Sequence, residues 1–295
     1  MLYKDMFKIF LVAFFSIFLI DYQLKKEAPI EMPIIQDESP ITSCINFEPP
    51  VAERSEEFRR FLSASVKIKV GSYSGSGTII YYDRETQEAY VISCGHLWSG
   101  TKTHKELEHS PPKATVITWY HNNLKLDVPE EHEAQVLFWS NNSGRDVSLL
   151  KFKATWEPEY FPIAPSSYDI KIGSYQHSLG CDAGSEVAHY SVEIEGYRGD
   201  DLVTNHNSPR PGRSGGGLLS DDGYFIGICW GTSKIDGTGI GYFTSLKAIH
   251  AVFEQNEFNW LLEVADIART IPIKDQNSNQ RNYPIDYIPV PKRNF

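Results

Sequence analysis

The sequence predicts an all-β protein, a barrel or a sandwich, that ends in one helix. Between residues 65 and 244, short apolar or alternating segments are separated by turns about every eight to twelve residues, which is typical of such folds. The 16 Tyr, 16 Phe and frequent β-branched residues favour strands over helices. The one long helical pattern comes last, over residues 245–264, where apolar side chains share a face.

Each predicted strand is a short apolar run, or an alternation of apolar and polar residues, between turn residues. Strands are expected at residues 66–70, 78–82, 89–93, 114–120, 133–139, 147–152, 169–174, 188–195, 224–230 and 239–244. A glycine-containing loop is expected at residues 178–184. A short helix over residues 53–63 is also expected, because it places Phe58, Phe61 and Leu62 on one side.

The N-terminal segment predicts export. A short basic start precedes an uncharged apolar run, as in a signal peptide, but no small-residue cleavage site follows Ile20. An uncleaved membrane anchor through residues 7–20 is therefore an alternative, and a buried core helix is a third. The expected product is secreted, periplasmic or membrane-anchored. The predicted divisions are a signal peptide or anchor at 1–22, a linker or arm at 23–60, a globular domain at 61–265 and a disordered tail at 266–295.

Charge and cysteine content exclude some classes of function. The net charge of −10 argues against nucleic acid as a partner, since phosphate binding needs a basic surface. The four cysteines form no Cys-x-x-Cys pair, so a thiolate zinc site is not expected. The rest of the sequence shows no coherent zinc or nucleotide site, so no metal or cofactor is expected either. Cys94 and Cys229 lie in apolar stretches and are predicted to be buried thiols, although an exported chain permits disulfides.

The strongest candidate for a reactive side chain lies in the glycine-rich stretch 211–219. Ser214 lies between glycines there, so it can act as a nucleophile beside free backbone N–H groups, or simply belong to a tight turn. His96 follows a predicted strand and Asp146 begins another. Each fits a structural role when taken alone. Together they are what acyl transfer requires, because an imidazole takes the serine proton and a carboxylate orients the imidazole.

The segments around these three residues resemble the chymotrypsin-like (trypsin-fold) serine peptidases. The similar segments are, in order, 76–80 (Ser-Gly-Thr-Ile-Ile), 91–96 (Val-Ile-Ser-Cys-Gly-His), 146–150 (Asp-Val-Ser-Leu-Leu), 212–216 (Gly-Arg-Ser-Gly-Gly) and 227–231 (Gly-Ile-Cys-Trp-Gly). The resemblance covers the chain from Ser65 to Ala265. It implies two six-stranded antiparallel β-barrels followed by a C-terminal helix.

The resemblance also implies a function and its residues. The protein would be a serine endopeptidase that cleaves polypeptides through an acyl-enzyme intermediate, with Ser214 as nucleophile, His96 as general base and acid, and Asp146 as the orienting carboxylate. The backbone N–H groups of Gly212 and Ser214 would form the oxyanion hole. The implied substrate-binding positions are Ser208, Cys229, Trp230, Gly231 and Gly241.

Two positions depart from the digestive members of this family. Those members carry aspartate before the nucleophile, where it pairs with a newly cut N-terminus, but this chain has Arg213. Arginine cannot form that pair, so activation by this route is not expected and the chain is closer to the bacterial high-temperature-requirement and viral-type branches. Ser208, aligned with the floor of the specificity pocket, is uncharged, which argues against a strict Arg or Lys preference.

Two other functions fit parts of the sequence. Residues 212–216 also match the Gly-x-Ser-x-Gly motif of α/β-hydrolase esterases, for which Asp236 and His250 are formally available. That fold requires a helix directly after the serine, and residues 215–223 are poor helix material. A catalytically inactive trypsin-fold binding module is the other alternative, although all three chemical groups are present.

Overall fold

The computed structural model describes residues 56–98, 113–142, 145–234 and 239–264. These residues form two closed antiparallel β-barrels of six strands each, and a helix follows the second barrel. The predicted fold class is therefore confirmed. The predicted signal peptide or anchor and the predicted C-terminal tail lie outside the described residues. Within those ranges, no helix has the length and apolar character needed to cross a membrane.

The first barrel follows a short helix, α1 (Glu56–Ser63), which the sequence predicts and whose Phe61 and Leu62 are buried. Alternation along β1 buries every second side chain, as a barrel wall requires. The strands are β1 (Ser65–Val70), β2 (Tyr73–Asp83), β3 (Glu88–Ser93), β4 (Lys113–His121), β5 (Leu124–Asn142) and β6 (Arg145–Lys153). They close in the order β1-β2-β3-β6-β5-β4.

The second barrel closes in the order β10-β11-β12-β9-β8-β7. Its strands are β7 (Tyr175–Gly180), β8 (Ala188–Arg198), β9 (Asp201–Asn205), β10 (Gly217–Leu219), β11 (Phe225–Thr232) and β12 (Gly241–Ser245). The strand predicted at residues 169–174 is wrong, because the chain turns there, with Gly173 at φ +81°. Strand β7 instead begins at Tyr175 and extends into the loop predicted at residues 178–184. Gly180 allows close packing there, because a β-carbon on it would lie only 2.7 Å from Arg213 Cγ.

The C-terminal helix is shorter than the sequence predicts. Helix α2 (Leu246–Gln255) begins at Ser245, whose hydroxyl accepts a hydrogen bond from the Ala248 N–H. It ends because Glu257 adopts a left-handed conformation with φ +63°, and the Phe258 N–H then donates back to the Phe253 carbonyl at 2.9 Å. The helix resumes only at residues 260–264, so the predicted continuous helix is wrong over the four residues between.

Candidate active site

His96 and Asp146 lie at the ends of two hydrogen-bonded strands in the first barrel. Strands β3 and β6 pair Ser93 with Ser148, so the chain leaving β3 lies beside the start of β6. Asp146 Oδ1 accepts a hydrogen bond from the His96 backbone N–H at 2.7 Å, and Oδ2 lies 2.6 Å from His96 Nδ1. One carboxylate therefore fixes both the main chain and the ring of the histidine.

Asp146 is mostly buried, whereas a third of the His96 side chain is exposed. Thr244 of the second barrel supports the aspartate by donating a hydrogen bond to its carbonyl at 3.2 Å. When the Nδ1–H group donates a hydrogen bond to the carboxylate, Nε2 carries the free lone pair of the neutral ring. The arrangement therefore presents a proton-accepting nitrogen at the surface of the cleft.

Ser214 lies in the loop between β9 and β10, which presses against the end of β3. Gly212 and Gly215 have φ of +93° and +88°, a left-handed region that favours glycine. A β-carbon at Gly212 would lie 2.5 Å from the Cys181 carbonyl oxygen, and one at Gly215 would overlap Ser93 Oγ. The two glycines thus bring Ser214 against the strand that ends just before His96.

The hydrogen bond between serine and histidine is not formed in this structure. Among the residues described, the Ser214 hydroxyl makes no hydrogen bond, and His96 Nε2 lies 3.6 Å from Cys94 Sγ. Burial raises the pKa of the Cys94 thiol well above its usual value, so the thiol is neutral and a weak partner. Contacts of this kind are often long in substrate-free sites and shorten when substrate binds.

Two backbone N–H groups beside Ser214 remain available. The carbonyl before Gly212 accepts a hydrogen bond from the Ala183 N–H at 2.6 Å, and the carbonyl before Ser214 accepts one from the Gly216 N–H at 2.8 Å. Because C=O and N–H point in opposite directions in a trans peptide, the Gly212 and Ser214 N–H groups point away from these partners. In the described part of the chain neither N–H donates a hydrogen bond. Unpaired donors of this kind are what an oxyanion hole requires.

Arg213, between these two N–H groups, is completely buried. Its guanidinium pairs with both oxygens of Asp182, with Nε–Oδ1 at 2.8 Å and Nη2–Oδ2 at 3.2 Å, and donates to the Ser178 carbonyl at 3.0 Å. It also lies over the Tyr190 ring, 4.0 Å from the centroid. Asp182 begins the 3₁₀ turn Asp182–Gly184, whose backbone fixes the carbonyl before Gly212. The ion pair therefore ties that turn to the Ser214 loop.

Ser76 of β2 connects the first barrel to the same loop. Its N–H donates to the Ser214 carbonyl at 2.7 Å, and its hydroxyl donates to the Gly212 carbonyl at 2.8 Å and accepts from the Cys181 N–H at 2.8 Å. Ser76 is completely buried. Sequence reasoning missed this hydroxyl, and no local pattern identifies it, because its partners lie 136 and 105 residues away.

Of the three adjacent positions predicted to bind substrate, Trp230 and Gly231 lie at an open strand edge. Cys229 is engaged internally, since its N–H donates to Gly216 and its carbonyl accepts from Gly215. A register shift between Cys229 and Gly231 leaves Trp230 outside the ladder with β12. In the described chain, β11 pairs only with β12 beyond Cys229, so its other edge is free to accept an extended peptide.

The other two predicted positions, Ser208 and Gly241, are buried beside an adjoining cavity. The Ser208 hydroxyl accepts a hydrogen bond from the Gly239 N–H at 3.1 Å, and Gly241 packs against Thr204. The cavity has a volume of about 570 Å³. It is lined by Asn205, His206, Asn207, Ser233, Lys234, Gly239 and Ile240. None of these described lining residues is acidic.

A metal ion is a poor occupant of the His96 site. Ligand atoms of Cys94, His96 and Asp146 lie within 4.8 Å of one another. Two ligands of one tetrahedral zinc ion lie about 3.3 Å apart, yet His96 Nδ1 and Asp146 Oδ2 are at hydrogen-bonding distance, 2.6 Å. The geometry favours a histidine–carboxylate pair.

The α/β-hydrolase alternative is wrong. Ser214 is followed by the strand β10 in an antiparallel barrel and not by a helix. His250, the proposed base, lies on α2 and its Nε2 contacts the Ala164 carbonyl at 2.8 Å. Asp236, its proposed partner, lies outside the described residues.

Solved structures share this fold at low sequence identity. The chain is similar to the serine endoprotease from Yersinia pestis, at 22% identity and TM-score 0.52, covering 71% of this chain and 68% of that chain. It is also similar to Deg5, at 15% identity and TM-score 0.50, covering 66% and 89%. The Rv3671c protease in its inactive form matches at 18% identity and TM-score 0.48, covering 68% and 91%.

Sequence comparison identifies the family. No curated protein matches the chain. Residues 75–228, however, match the trypsin-like peptidase domain, and this range contains His96, Asp146 and Ser214. The match covers more than half of the chain and runs from β2 of the first barrel into β11 of the second. The chain therefore belongs to the trypsin-like peptidase domain family.

Proposed function

We propose that this protein is a serine endopeptidase that cleaves polypeptides through an acyl-enzyme intermediate. The observation that carries the proposal is that the His96–Asp146 pair and the Ser214 loop lie at the same cleft. The Asp146 carboxylate holds His96 through two hydrogen bonds, and Ser214 lies on a loop whose adjacent N–H groups are unpaired. Peptide binding alone does not require a base, a hydroxyl group and unpaired N–H donors at one place.

In the first half of the reaction, Ser214 Oγ attacks the carbonyl carbon of the scissile peptide bond. His96 Nε2 exchanges its contact with Cys94 for the serine hydroxyl and takes the hydroxyl proton. Asp146 stabilises the resulting imidazolium, and the Gly212 and Ser214 N–H groups stabilise the oxyanion. The carbon–nitrogen bond then breaks, and His96 gives its proton to the leaving amine.

In the second half, water replaces the amine. His96 Nε2 takes a proton from the water, whose oxygen attacks the acyl-enzyme carbonyl. Collapse of the second tetrahedral intermediate breaks the ester bond and returns the proton from His96 to Ser214 Oγ. The products are a free carboxylate and a regenerated enzyme, so no cofactor is required.

The substrate would bind as an extended strand along the free edge of β11 at Trp230 and Gly231. Backbone hydrogen bonds at this edge provide affinity without sequence preference. The described residues that line the cavity beside Ser208 include no acid that could pair with a cationic side chain. We therefore expect no strict Arg or Lys preference, which chromogenic peptides that differ only in that residue would test.

Arg213 and Asp182 would act as positioning residues in this mechanism. Their buried ion pair holds the turn that orients the peptide before Gly212. Because both partners belong to the same folded domain, the oxyanion donors need no newly cut N-terminus to become available. The Arg213–Asp182 ion pair therefore supports a closer relationship to the bacterial and viral-type members of the family than to the digestive zymogens.

Export is part of the proposal, on the basis of the apolar segment at residues 7–20. The mature protein would be secreted, periplasmic or anchored to the membrane by this segment. N-terminal sequencing of the mature protein, together with membrane fractionation, separates these outcomes. A mature chain that begins at Met1 and remains in the soluble cytoplasmic fraction would contradict export.

A fluorophosphonate probe tests the proposed function directly, because it labels only an activated serine. We expect the wild type to be labelled, and the variants Ser214→Ala and His96→Ala to remain unlabelled while keeping the wild-type circular dichroism spectrum. Equal labelling of wild type and Ser214→Ala would rule out Ser214 as nucleophile. An unlabelled but folded wild type would favour the inactive binding module.

A further inference from the structure

Three side chains with metal-binding groups meet at one end of the first barrel. His121 ends β4, and Glu130 and His132 lie on β5. The shared point is Glu130 Oε2, which lies 3.4 Å from His121 Nε2 and 4.0 Å from His132 Nε2. All three ligand atoms lie within 4.8 Å of one another. Two imidazoles and a carboxylate are a ligand set that zinc and related ions prefer.

The hairpin between β4 and β5 is shaped so that the three side chains converge. In the ladder Thr118 pairs with Glu130 and Val116 with His132, so these four residues share one face of the barrel wall. His121 is three residues from Thr118 and would face the other way in a regular strand. The ladder changes register between Thr118 and Tyr120, where Trp119 alone on β4 lies opposite residues 126–129 of β5. Beyond this bulge His121 Nε2 lies 3.4 Å from Glu130 Oε2.

The ring nitrogen of His121 that faces Glu130 is buried. Its Nε2 is inaccessible to solvent and makes no hydrogen bond among the described residues, although Glu130 Oε2 is close. A buried polar atom without a partner is costly, so such atoms call for an explanation. The Trp156 ring stacks on His121 with centroids 3.7 Å apart and lies 5.2 Å from His132. The indole thus shields both imidazoles from water.

His132 directs the same ring nitrogen as His121 toward the shared carboxylate. Its side chain is mostly buried, and its Nε2 lies 4.0 Å from Glu130 Oε2. His132 Nε2 also lies 3.1 Å from the hydroxyl of Thr118, and this contact would have to break before the nitrogen could bind a metal ion. The released hydroxyl would remain beside the fourth position of the ion, where it can bind a coordinated water.

We propose that His121, Glu130 and His132 bind one divalent transition-metal ion, for which zinc is the best match. Ligands of a tetrahedral zinc ion are about 3.3 Å apart, so the 3.4 Å separation of His121 and Glu130 already fits. The 4.0 Å separation of His132 and Glu130 must close by roughly 0.7 Å. Glu130 is exposed enough for its side chain to make this adjustment.

The role of this metal is structural. His132 packs against Phe152, near the end of β6 opposite to Asp146. Six residues of strand separate Phe152 from Asp146, which corresponds to roughly 20 Å. At that distance an ion cannot touch the reacting atoms, but it would join β4 to β5 at the open end of the barrel.

The experiment is a calorimetric titration of Zn²⁺ into the full chain, carrying Ser214→Ala to prevent self-cleavage and treated with a chelator beforehand. We expect one site per chain. The substitutions His121→Ala, His132→Ala and Glu130→Gln should each weaken it at least ~100-fold, because each removes a ligand. Glu130→Gln changes an exposed side chain and is the variant most certain to fold.

Two further variants serve as controls. His206 lies 3.2 Å from Glu193, another His–Glu pair, but no third ligand joins it among the described residues, so His206→Ala should bind zinc normally. His96→Ala separates the proposed site from the catalytic histidine and should also bind normally. Loss of binding in His96→Ala alone would overturn the proposal.

Thermal unfolding provides an independent measurement. Zinc at a hundredfold excess over its Kd should raise the Tm of the Ser214→Ala chain by ~5–10 °C, and should leave the Tm of the additional Glu130→Gln variant unchanged. Zinc binding no tighter than ~1 mM, or equal affinity in wild-type and His121→Ala or His132→Ala chains, would show that the cluster is only an ion pair of the hairpin.

Discussion

The two barrels contribute to the cleft by different physical means. The first barrel supplies His96 and Asp146 from the ends of adjacent paired strands, and one carboxylate holds the histidine with bonds of 2.7 and 2.6 Å. The second barrel supplies Ser214 on a loop outside any strand. That loop is shaped by left-handed glycines and held by the buried Arg213–Asp182 pair.

This difference predicts different vulnerabilities. The position of the proposed acid–base pair follows from strand pairing, which many hydrogen bonds share. The loop that carries Ser214 is not part of a strand, and the side chains that hold it are the Arg213–Asp182 ion pair and Ser76, which reaches it from the other barrel. Substitutions on the first side should therefore remove chemistry without loosening the fold, whereas substitutions on the second side should affect both.

The largest effect on catalysis should come from Asp146→Asn. The amide keeps the shape of the side chain but cannot hold His96 in the required tautomer, so kcat should fall ~10⁴-fold. The free energy of unfolding should change little by comparison, because the strand pairing remains. Steady-state kinetics with a peptide substrate and urea unfolding measure both quantities. A variant with more than a tenth of wild-type kcat would argue against this aspartate.

The substitution Arg213→Met should lower both stability and activity. It leaves the mostly buried Asp182 carboxylate with the Tyr190 hydroxyl but without its cation, which should cost about 3 kcal/mol of unfolding free energy. Loss of the oriented Gly212 N–H should lower kcat/KM about 10²–10³-fold.

Two companion variants show whether pairing or mere substitution matters. Adding Asp182→Leu removes the lone charge, so the double variant should regain stability while its activity stays low. Lys113→Met removes one partner of an exposed ion pair with Glu133 and should cost less than about 1 kcal/mol. Normal activity in folded Arg213→Met would contradict the positioning role.

Ser76→Ala should have a smaller effect. It keeps the backbone bond to Ser214 but leaves the Cys181 N–H and the Gly212 carbonyl without the hydroxyl, at a cost of about 1–3 kcal/mol. A shifted loop should lower kcat between about 10- and 100-fold. Ser74→Ala, at an exposed position on the same strand, is the matched control. Equal kinetics of the two variants would exclude a role for the Ser76 hydroxyl.

The smallest expected effect is on the pH dependence of stability, and it concerns the first barrel alone. Burial lowers the folded-state pKa of His132, with Glu130 opposing and His121 reinforcing the shift. The unfolded chain therefore binds this proton first, and stability decreases as pH falls below about 6.5. Urea unfolding of metal-free protein at pH 7.5 and pH 5 should show a smaller decrease in His132→Gln than in the wild type. An equal decrease would contradict the assignment.

Local sequence patterns were sufficient for most strands and for the identity of the three catalytic candidates. The alternation along β1 and the glycines around Ser214 are short-range signals, because pleating and left-handed backbone act within a few residues. The incorrect predictions arose where the local sequence is compatible with more than one structure. Gly180 indicates a loop in sequence but serves close packing against Arg213, and the helix break at Glu257 carries no Gly or Pro.

The sequence by itself determined an all-β fold with a serine, a histidine and an aspartate at strand ends and loops, and its resemblance to the trypsin-fold peptidases implied two barrels. Only the tertiary structure decided what surrounds these residues. Arg213 meets Asp182 across 31 residues, Ser76 meets Gly212 across 136, and the β4–β5 hairpin places His121 beside Glu130. The physical reason is that burial, ion pairing and metal-ligand convergence depend on distances in space, which barrel closure sets and no local window contains.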